Sequence, residues 1–417
     1  MTRSPTAGCS ASPLRLQMRA LANKTYFNYG GQGPLPQDSL EAITAAFVTI
    51  QELGPFSGDV WPWTARTVEA LRQRLGSSAW LGVGPRRLAF TENVTSGCIL
   101  PLWGLPWQAG DQLLLSDAEH PGVVAALREL ARREGLELRF FPVADLRGEA
   151  DGSADAESAC SRASGKVLQR LQAVLSPRTR LVVLSHLLWN TGQIMPIAAV
   201  ADQLAGHPSR PWLLVDGAQS LGSIPVAEAA TAADLYACTG HKWCCGPEGL
   251  GVVALSDRLL EQARPTLICW RSLADEDATS QSPAHGLFHG DGRRFEVATS
   301  CIPLFAGLET SLRLLEAEGS AEDRLERIRA LSLRLWSGLD RIPGLQPLLS
   351  VEPPAGLVSF LMEEPPPAAV VRQLGERGLW LRTLADPPCV RACTHITTTE
   401  AEVDQLLQAL RELLAGD

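Results

Sequence analysis

Two short segments of this chain combine side chains that can do chemistry together, and each segment directly follows an apolar run. The first contains Asp216 and Gln219, and the second contains Thr239, His241 and Lys242. A lysine amine can hold pyridoxal 5'-phosphate (PLP) as a Schiff base, and a carboxylate can pair with the pyridinium nitrogen so that the ring acts as an electron sink. We therefore predict a PLP site in which Lys242 and Asp216 take those roles.

The ends of three other apolar runs carry further candidate residues, because ligands of open parallel sheets bind at the carboxyl ends of the strands. Thr95 and Ser96 could cradle a phosphate at a helix start, or could simply cap that helix. His120 could stack on a cofactor ring and shuttle protons, or could be an ordinary polar residue at a helix start. Asn190 could bond the ring hydroxyl or the substrate, although an Asn close to a Gly is usually part of a turn.

The elements that must position these residues follow from the hydrophobic pattern. From about residue 86 the chain alternates short apolar runs with helical patterns, which is typical of parallel strands joined by crossover helices. We therefore predict an α/β fold with a mostly parallel central sheet, including a helix over 123–133 that ends at Gly135. The predicted strands of this sheet are 88–90, 113–116, 136–143, 180–185, 212–215, 234–238 and 249–255.

Three parts of the chain differ in composition and pattern. Residues 1–22 are expected to form an unstructured leader, with a targeting segment as the alternative, because the first acidic residue is Asp38. Residues 23–300 are expected to form a large PLP-binding domain, with a solvated insertion over 147–166 and a mobile loop over 272–292. Residues 301–417 are expected to form a smaller α+β domain that packs with the N-terminal segment. Its pattern predicts a strand over 356–362 and a final helix over 400–414.

The composition argues against several classes of function. The net charge of -9 and the lack of a basic cluster argue against a nucleic-acid partner, since phosphate neutralisation needs grouped Lys and Arg. Polar and helix-breaking residues, among them Asn190 and Pro196, interrupt the long apolar stretch 181–201 and argue against a membrane span. The ten cysteines are scattered through a long chain without a signal-type apolar start, which favours reduced thiols and a cytoplasmic location.

The ordered set of site residues resembles the class V aminotransferase family, a group of fold-type-I PLP enzymes that includes cysteine desulfurases, kynureninases and C-S lyases. The resemblance runs from about Tyr26 to the end of the chain. Four segments, 21–28, 119–122, 185–192 and 294–300, look more narrowly like the cystine and cysteine C-S lyases. The residues that carry the family resemblance, in chain order, are His120, Asn190, Asp216, Gln219, Thr239, His241 and Lys242.

The resemblance implies a role for each of these residues. His120 would stack on the cofactor ring, Gln219 would bond its phenolic oxygen, and Asp216 would keep the ring nitrogen protonated. Arg382 and Arg391 match the region where the family fixes the substrate carboxylate, for which a guanidinium fork is well suited. The resemblance also implies an amino-acid substrate and a homodimer with a shared active site. The residues implied for the phosphate are Thr95, Ser96, Thr239 and His241, with Thr299 from the other subunit, and Trp270 is implied for the substrate.

The reaction depends on whether a cysteine takes part. Desulfurases of this family carry a nucleophilic cysteine on a flexible loop before the carboxylate-binding arginine, but here only eight residues (391 minus 382 minus 1) separate the two arginines. Cys389 is the only thiol in that stretch, and Cys244 and Cys245 are expected to be buried. No metal is expected, since the Cys389/Cys393 and His285/His289 pairs lack matching partners.

The residues therefore favour β-elimination on L-cystine or L-cysteine, giving pyruvate, ammonia and a persulfide or sulfide. The alternatives are a cysteine desulfurase, an epimerase or an aminotransferase of the same family. A PLP-binding protein without activity is a fourth alternative, although the intact site argues against it. A protein that accepts the sulfur is a further candidate partner.

Overall fold

The computed structural model describes residues 12–147, 156–275 and 287–415, without the side chains of residues 156–162. The strands of these parts are β1 (Thr25–Tyr26), β2 (Leu88–Thr91), β3 (Gln112–Ser116), β4 (Glu137–Phe141), β5 (Thr179–Ser185), β6 (Trp212–Asp216), β7 (Leu235–Thr239), β8 (Gly251–Leu255), β9 (Leu345–Pro347), β10 (Leu357–Met362), β11 (Leu379–Trp380), β12 (Arg382–Ala385) and β13 (Pro388–Cys393). The helices are α1 (Pro13–Leu16), α2 (Gln37–Leu53), α3 (Val60–Gly76), α4 (Val94–Ile99), α5 (Pro121–Glu134), α6 (Ala156–Val174), α7 (Ile197–Ala205), α8 (Ala227–Ala232), α9 (Asp257–Gln262), α10 (Ile302–Glu316), α11 (Ala321–Leu339), α12 (Pro367–Glu376) and α13 (Glu400–Ala415).

The central sheet has seven strands in the order β2-β8-β7-β6-β5-β3-β4, and its five strands β4, β3, β5, β6 and β7 run parallel. This arrangement confirms the predicted α/β fold, and each predicted strand lies within two residues of its expected bounds. β8 differs from the expected series because it runs antiparallel to both β7 and β2. The segment between β7 and β8 is too short for a crossover helix, so the chain turns back directly and carries Lys242 in that turn.

The sheet is covered on both faces, which explains why its strands read as continuous apolar runs rather than alternating ones. Parallel strands end at one edge, so the residues at the ends of β3, β5, β6 and β7 become neighbours there. At this edge Ser185 of β5 lies in register with Asp216 of β6. Within the described residues, no helix is both long and apolar enough to cross a lipid bilayer.

A second sheet, in the order β12-β13-β10-β9, packs on α11, α12 and α13 in a separate hydrophobic cluster. Phe27 joins this cluster, and the preceding β1 pairs with β11, so the N-terminal segment does pack with the C-terminal part of the chain. α10, by contrast, packs against α2 and α3 in the core of the large sheet. The change of pattern near residue 301 is therefore not a change of core, and the division of domains at that position stays a prediction.

The expectation of an unstructured leader over residues 1–22 is wrong for residues 12–22. Leu14, Met18 and Leu21 are buried in the main core, and a 3-10 turn over Arg19–Ala22 follows α1. Arg15 forms two hydrogen bonds of 2.9 Å with the Glu402 carboxylate of α13. Apolar spacing in so short a segment is too sparse to be read as a helix from sequence. Residues 1–11 lie outside the described residues.

Two other expected irregular regions are only partly described. α6 begins at Ala156, so the second half of the insertion predicted over 147–166 is helical, while residues 148–155 lie outside the described residues. The loop predicted over 272–292 has its two described ends joined by a bridge between Leu273 and Phe288. Residues 276–286 of this loop lie outside the described residues.

Helix α1 offers a direct test of whether the segment before Thr25 contributes to stability. Leu14 is 2% exposed and Leu16 is 80% exposed in the same turn. Leu14→Ala is expected to lower the free energy of unfolding by about 2–4 kcal/mol, because it leaves a cavity in a packed core. Leu16→Ala is the matched control and should change it by less than about 0.5 kcal/mol. Urea unfolding measures both, and equal small effects would show that α1 is not part of the folded core.

Candidate active site

Lys242 and Asp216 lie at the same edge of the central sheet, in the turn after β7 and at the end of β6. Asp216 is 4% exposed, and its carboxylate accepts a hydrogen bond of 2.8 Å from the Ala218 amide. Burial raises the pKa of Asp216, and the Lys242 and His120 charges oppose that rise. Burial also lowers the pKa of Lys242 to about 8, although Asp216 raises it. A sizeable fraction of this amine is therefore neutral near physiological pH and can act as a nucleophile or base.

The acid and the amine influence each other without forming an ion pair. In the described part of the chain, no ion pair or side-chain hydrogen bond joins Lys242 to Asp216 or to any other residue. A buried carboxylate normally has a partner, since an unpaired buried charge is costly. The two groups thus fit a ligand that brings a cation to Asp216 and an electrophilic carbon to Lys242. PLP has both, with its pyridinium nitrogen and its carbonyl carbon.

His120 is the N-cap residue of α5, and it is close enough to Asp216 and Lys242 for their charges to affect its ionisation. Partial burial lowers the pKa of His120, Asp216 raises it, and Lys242 and Arg382 lower it further. Its Nδ1 accepts a hydrogen bond of 3.2 Å from Gly122, and its ring meets Trp189 edge-on at 5.8 Å. The imidazole is therefore neutral near pH 7 and held at a fixed angle beside the Lys242 turn.

The residues predicted for a phosphate fall on two neighbouring turns. Thr239 Oγ1 and His241 Nδ1 are 2.7 Å apart and share one hydrogen bond. Ser96 lies at the start of α4, where its amide donates to the Asn93 carboxamide at 3.0 Å. Thr95 Oγ1 would lie 3.7 Å from a Cβ at Gly122, so α4 and the His120 turn are adjacent. The hydroxyls and amides of both turns have the chemistry of an anion site.

Gln219 is buried between the N-terminal segment and the Lys242 turn. Its amide nitrogen donates to the Gly30 carbonyl at 2.9 Å, and its oxygen accepts from the Trp243 indole at 2.8 Å. A Cβ on Gly30 would lie 2.9 Å from the Arg391 guanidinium carbon and 3.0 Å from the Gln219 oxygen. Gly33 makes a similar close approach, since a Cβ there would lie 2.3 Å from the Lys242 carbonyl. The glycine loop 30–33 thus forms one wall of the site.

The two candidate arginines for a substrate carboxylate are cross-strand partners. Arg391 of β13 lies directly opposite Arg382 of β12. Arg391 is 2% exposed, donates to the Trp189 carbonyl at 2.8 Å, and leaves its Nε buried without a partner. Its charge also lowers the pKa of Lys242. Asn190 joins this region through a bond of 3.3 Å to the Asp386 carbonyl in the turn between the two strands.

Two predicted site residues lie in segments that do not belong to the strand ends carrying Asp216 and Lys242. Thr299 is exposed and follows the 3-10 turn Gly292–Phe295. Trp270 packs edge-on against Trp61 of α3 at 5.9 Å. Their roles as partners of the cofactor or substrate stay predictions.

The thiols of this region are buried. Burial raises the pKa of Cys389 to about 11 and that of Cys244 to about 12, and it raises the pKa of Cys245 well above its ordinary value. Burial raises the pKa of Cys393 as well, although this thiol lies near enough to Arg391 and Lys242 for both cations to lower it. Among the described residues, no group of three or more His, Cys, Asp or Glu side chains is placed to hold a metal ion.

Sequence reasoning missed Glu119, a buried acid directly before His120. Its carboxylate accepts from the Ser116 hydroxyl, from the Ser185 hydroxyl at 2.7 Å and from the Ser185 amide at 2.9 Å, and so ties the ends of β3 and β5 together. Burial raises its pKa to about 7, the two serine hydroxyls lower it, and Asp216 raises it. The glycines at 30 and 33 were also missed, and only their density in the sequence hinted at a close approach.

Gly30→Ala tests the wall formed by the glycine loop. The added methyl group would push apart Arg391 and Gln219, so we expect PLP affinity and substrate turnover to fall, turnover on the order of 100-fold. Gly375→Ala is the matched control, since a Cβ there meets nothing within 4 Å, and it should leave both unchanged. Absorbance titration with PLP and steady-state kinetics measure the effects. An active Gly30→Ala enzyme would show that the loop does not border the site.

Glu119→Gln tests the burial of Glu119 through pH. The folded-state pKa of about 7 lies above the ordinary value of 4.5, so the native state binds the extra proton and its stability falls as pH rises between these values. Relative to Glu119→Gln, the wild-type protein should lose on the order of 3 kcal/mol of stability from pH 4.5 to pH 7.5. Urea unfolding at several pH values gives the difference. Parallel pH curves would mean that Glu119 is ionised in the folded protein.

Comparison with known proteins agrees with this geometry. The family described as Aminotransferase class-V matches residues 63–409. An isopenicillin N epimerase from Amycolatopsis lactamdurans is 30% identical over 416 residues, which cover 93% of this chain and 95% of the relative. A probable cysteine desulfurase from Pseudomonas aeruginosa is 30% identical over 371 residues, covering 86% of this chain and 83% of the relative.

One solved structure is similar over nearly the whole chain. It is a complex of the cystine C-S lyase C-DES with its reaction product cysteine persulfide, and it has a TM-score of 0.87 and 42% sequence identity. The match covers 95% of this chain and 99% of the solved one. A cysteine desulfurase from Thermococcus onnurineus has a TM-score of 0.79 at 21% identity, which shows the shared fold.

Proposed function

Because this chain belongs to the class V aminotransferase family, a family of PLP-dependent enzymes, we propose that it is a carbon-sulfur lyase acting on L-cystine or L-cysteine. The proposed reaction is β-elimination. With cystine and one water it gives pyruvate, ammonia and cysteine persulfide, and with cysteine it gives sulfide in place of the persulfide. Cytoplasmic location belongs to the proposal as well, and it is supported by the cysteines of the described residues, which are scattered and form no disulfide.

The donor set of the site fits PLP, which when bound withdraws electrons from the α-carbon of an amino acid. Lys242 would hold the cofactor covalently, and the buried Asp216 carboxylate would face its ring nitrogen. His120 would lie against the ring. Gln219 would bond its phenolic oxygen, and Asn190 would bond that oxygen or the substrate. The phosphate would be held by Thr95, Ser96, Thr239 and His241, with Thr299 of a second subunit.

The chain's own groups then divide the work on the substrate. Arg391 would bind the α-carboxylate, because it is buried with an unpartnered Nε and lies near enough to Lys242 for its charge to lower the Lys242 pKa. Arg382, its exposed neighbour across the β-ladder, would add a second guanidinium. Lys242, with a pKa lowered to about 8, would take the α-proton, and His120, whose pKa is lowered by burial, would pass a proton to or from the leaving sulfur.

One observation carries the preference for a lyase over a desulfurase. A desulfurase needs a thiolate that can reach the substrate sulfur, yet Cys389 and Cys393 are fully buried on β13 and have raised pKa values. β12 and β13 are joined by a tight turn, so no flexible loop carries a thiol there. The 42% identity to a cystine C-S lyase supports the same choice.

An epimerase is the second candidate, because two relatives of that name match more than nine-tenths of this chain. Epimerisation shares the removal of the α-proton but returns it to the other face instead of expelling sulfur. The two proposals therefore differ in product alone. Chiral analysis of the recovered amino acid separates them, since a lyase consumes the substrate and an epimerase accumulates its D form.

A homodimer with a shared site is also part of the proposal. Thr299 is exposed on its own chain. Exposed large apolar residues on α2, at position 56 and at positions 267–268 support a protein interface, since exposed apolar surface marks interaction sites where it is contiguous. These residues are Phe47 and Val48, each 50% exposed, Phe56, 79% exposed, and Leu267 and Ile268, 52% and 51% exposed. A protein that accepts the persulfide sulfur is a further proposed partner.

The PLP site predicts covalent labelling at one residue. Borohydride reduction of the PLP-loaded protein should fix the cofactor on Lys242, because it is the lysine with a lowered pKa beside Asp216. Peptide mapping identifies the labelled lysine. Lys24→Ala is the control and should leave the label in place, whereas label on another lysine would refute the role of Lys242.

The lyase proposal predicts the products and their independence from thiols. Wild-type protein given cystine should release pyruvate and sulfane sulfur in equal amounts, and Cys389→Ala, Cys393→Ala, Cys244→Ala and Cys245→Ala should each retain turnover within about threefold, apart from any loss of stability. Arg391→Ala should weaken substrate binding by about 2–3 kcal/mol, as expected for a charged hydrogen-bonded pair.

The same assay identifies the other reactions. A desulfurase would produce alanine and would lose activity with one of the cysteine variants. An aminotransferase would need an oxo-acid acceptor, and an inactive PLP-binding protein would release no product. Alanine as the main product, together with inactivation by one cysteine substitution, would overturn the lyase proposal and leave the PLP site standing.

A further inference from the structure

A set of buried hydrogen bonds behind the site begins at Trp243, the residue after Lys242. Trp243 is fully buried, and its indole N–H donates to the Gln219 oxygen at 2.8 Å. An indole nitrogen can only donate, so the atom of Gln219 that faces Trp243 must be the amide oxygen. The amide nitrogen is thereby turned the other way, where it donates to the Gly30 carbonyl at 2.9 Å and keeps a second hydrogen.

The carbonyl of Trp243 fixes a histidine in the same way. His395 Nε2 lies 3.2 Å from this carbonyl, which can only accept, so the Nε2 must carry a hydrogen. Burial lowers the pKa of His395 to about 3, and the ring is therefore neutral with a bare Nδ1. The Thr397 amide donates to that Nδ1 at 3.3 Å, which agrees with the assignment.

The remaining bonds return to the N-terminal segment. Thr397 Oγ1 lies 2.9 Å from the bare His395 Nδ1 and must donate to it, so it accepts from the Tyr29 hydroxyl at 2.7 Å. Tyr29 stacks on His395 with ring centres 4.3 Å apart, and it is bonded in sequence to Gly30. Together with the peptide bond between Tyr29 and Gly30, these hydrogen bonds form a closed network, which we call the Trp243 network. Its members, in order, are Tyr29, Thr397, His395, Trp243, Gln219 and Gly30.

We propose that Trp243 and His395 are positioning residues that fix which atom of the Gln219 amide faces the cofactor. The inference rests on the proposed function, because it takes Gln219 as a partner of PLP. Every hydrogen bond of the Trp243 network has one allowed direction. A flip of the Gln219 amide would leave the indole N–H facing an NH2 group and the Gly30 carbonyl facing an oxygen. The second amide hydrogen of Gln219 therefore stays available to donate to the phenolic oxygen of PLP.

This arrangement links three segments of the chain to one atom of the site. Thr397 also accepts a hydrogen bond of 2.7 Å from Arg15 through its carbonyl. The Trp243 side chain fits because Gly356 lacks a Cβ, which would lie 2.7 Å from the indole ring. Positions 29, 243, 356 and 395 thus act on Gln219 through buried contacts within the chain.

A double-mutant cycle of Trp243→Phe and Gln219→Ala tests this role. Trp243→Phe keeps an aromatic ring and removes the donor, and it should weaken PLP binding about fivefold, the effect of one hydrogen bond, and shift the visible absorbance band of the bound cofactor. In the Gln219→Ala background the same substitution should add less than about twofold and no further band shift. Trp80→Phe is the matched control, a buried Trp whose indole donates to Glu316, and it should leave PLP affinity and spectrum unchanged.

Additive effects in the cycle, or an unaltered spectrum in Trp243→Phe, would overturn the proposal. If Trp243→Phe does not fold, Tyr29→Phe serves instead. It removes one hydroxyl from the Trp243 network and keeps the stacking of residue 29 on His395. Its expected effect is about a twofold loss of PLP affinity that disappears in the Gln219→Ala background. An equal loss of PLP affinity in the Gln219→Ala background would contradict the proposed role of the Trp243 network.

Unfolding of the PLP-free proteins separates this inference from the proposed function. The bond between Trp243 and Gln219 exists without the cofactor, so the cycle should show coupling in urea unfolding of the four PLP-free variants. If the protein binds no PLP but the unfolding data show coupling, the proposed function is refuted and the Trp243 network stands. If the protein binds PLP and is an active lyase but neither measurement shows coupling, only the Trp243 network is refuted.

Discussion

A carboxylate and an amine are buried at one edge of the central sheet without pairing with each other. Direct pairing of Asp216 and Lys242 would relieve the cost of burying them, but it would also fill the space that a cofactor needs. The structure instead gives Asp216 one backbone amide and lets burial hold Lys242 partly neutral. Burial favours the pairing of the two groups, so the strands and turns around them must keep Asp216 and Lys242 apart.

The walls of that space come from parts of the chain that are far apart in sequence. The loop 30–33 packs on the Lys242 turn, β13 brings Arg391 against Gly30, and the segment 394–398 bonds to Trp243. The N-terminal residues 12–22 contact this C-terminal segment through Arg15, which donates to the Thr397 carbonyl. The stability of both terminal segments and the geometry of the site are therefore linked, although neither segment belongs to the central sheet.

Relatives with one cofactor site catalyse different reactions, so the choice among them must depend on the groups that reach the substrate. In the proposed function those groups would be two cross-strand arginines and a histidine, while the nearby thiols are buried in β13 or in the turn after β7. A buried thiol of raised pKa packs like a small apolar side chain. In the proposed function, the strands that carry the arginines would therefore leave the sulfur chemistry to the substrate, because their own thiols are buried.

The sequence by itself determined the strands of the central sheet and the residues at their ends, because apolar runs and strand-end polar groups are local patterns. Lys242, Asp216, His120 and Gln219 were predicted in this way, and their closeness follows from parallel strands ending at one edge. Only the tertiary structure decided that α10 packs with the large sheet, that residues 12–22 are folded, that β8 runs antiparallel, and that Gly30 separates Arg391 from Gln219. These features rest on contacts between segments such as Gly30 and Gln219, 189 residues apart, whose packing no local period encodes.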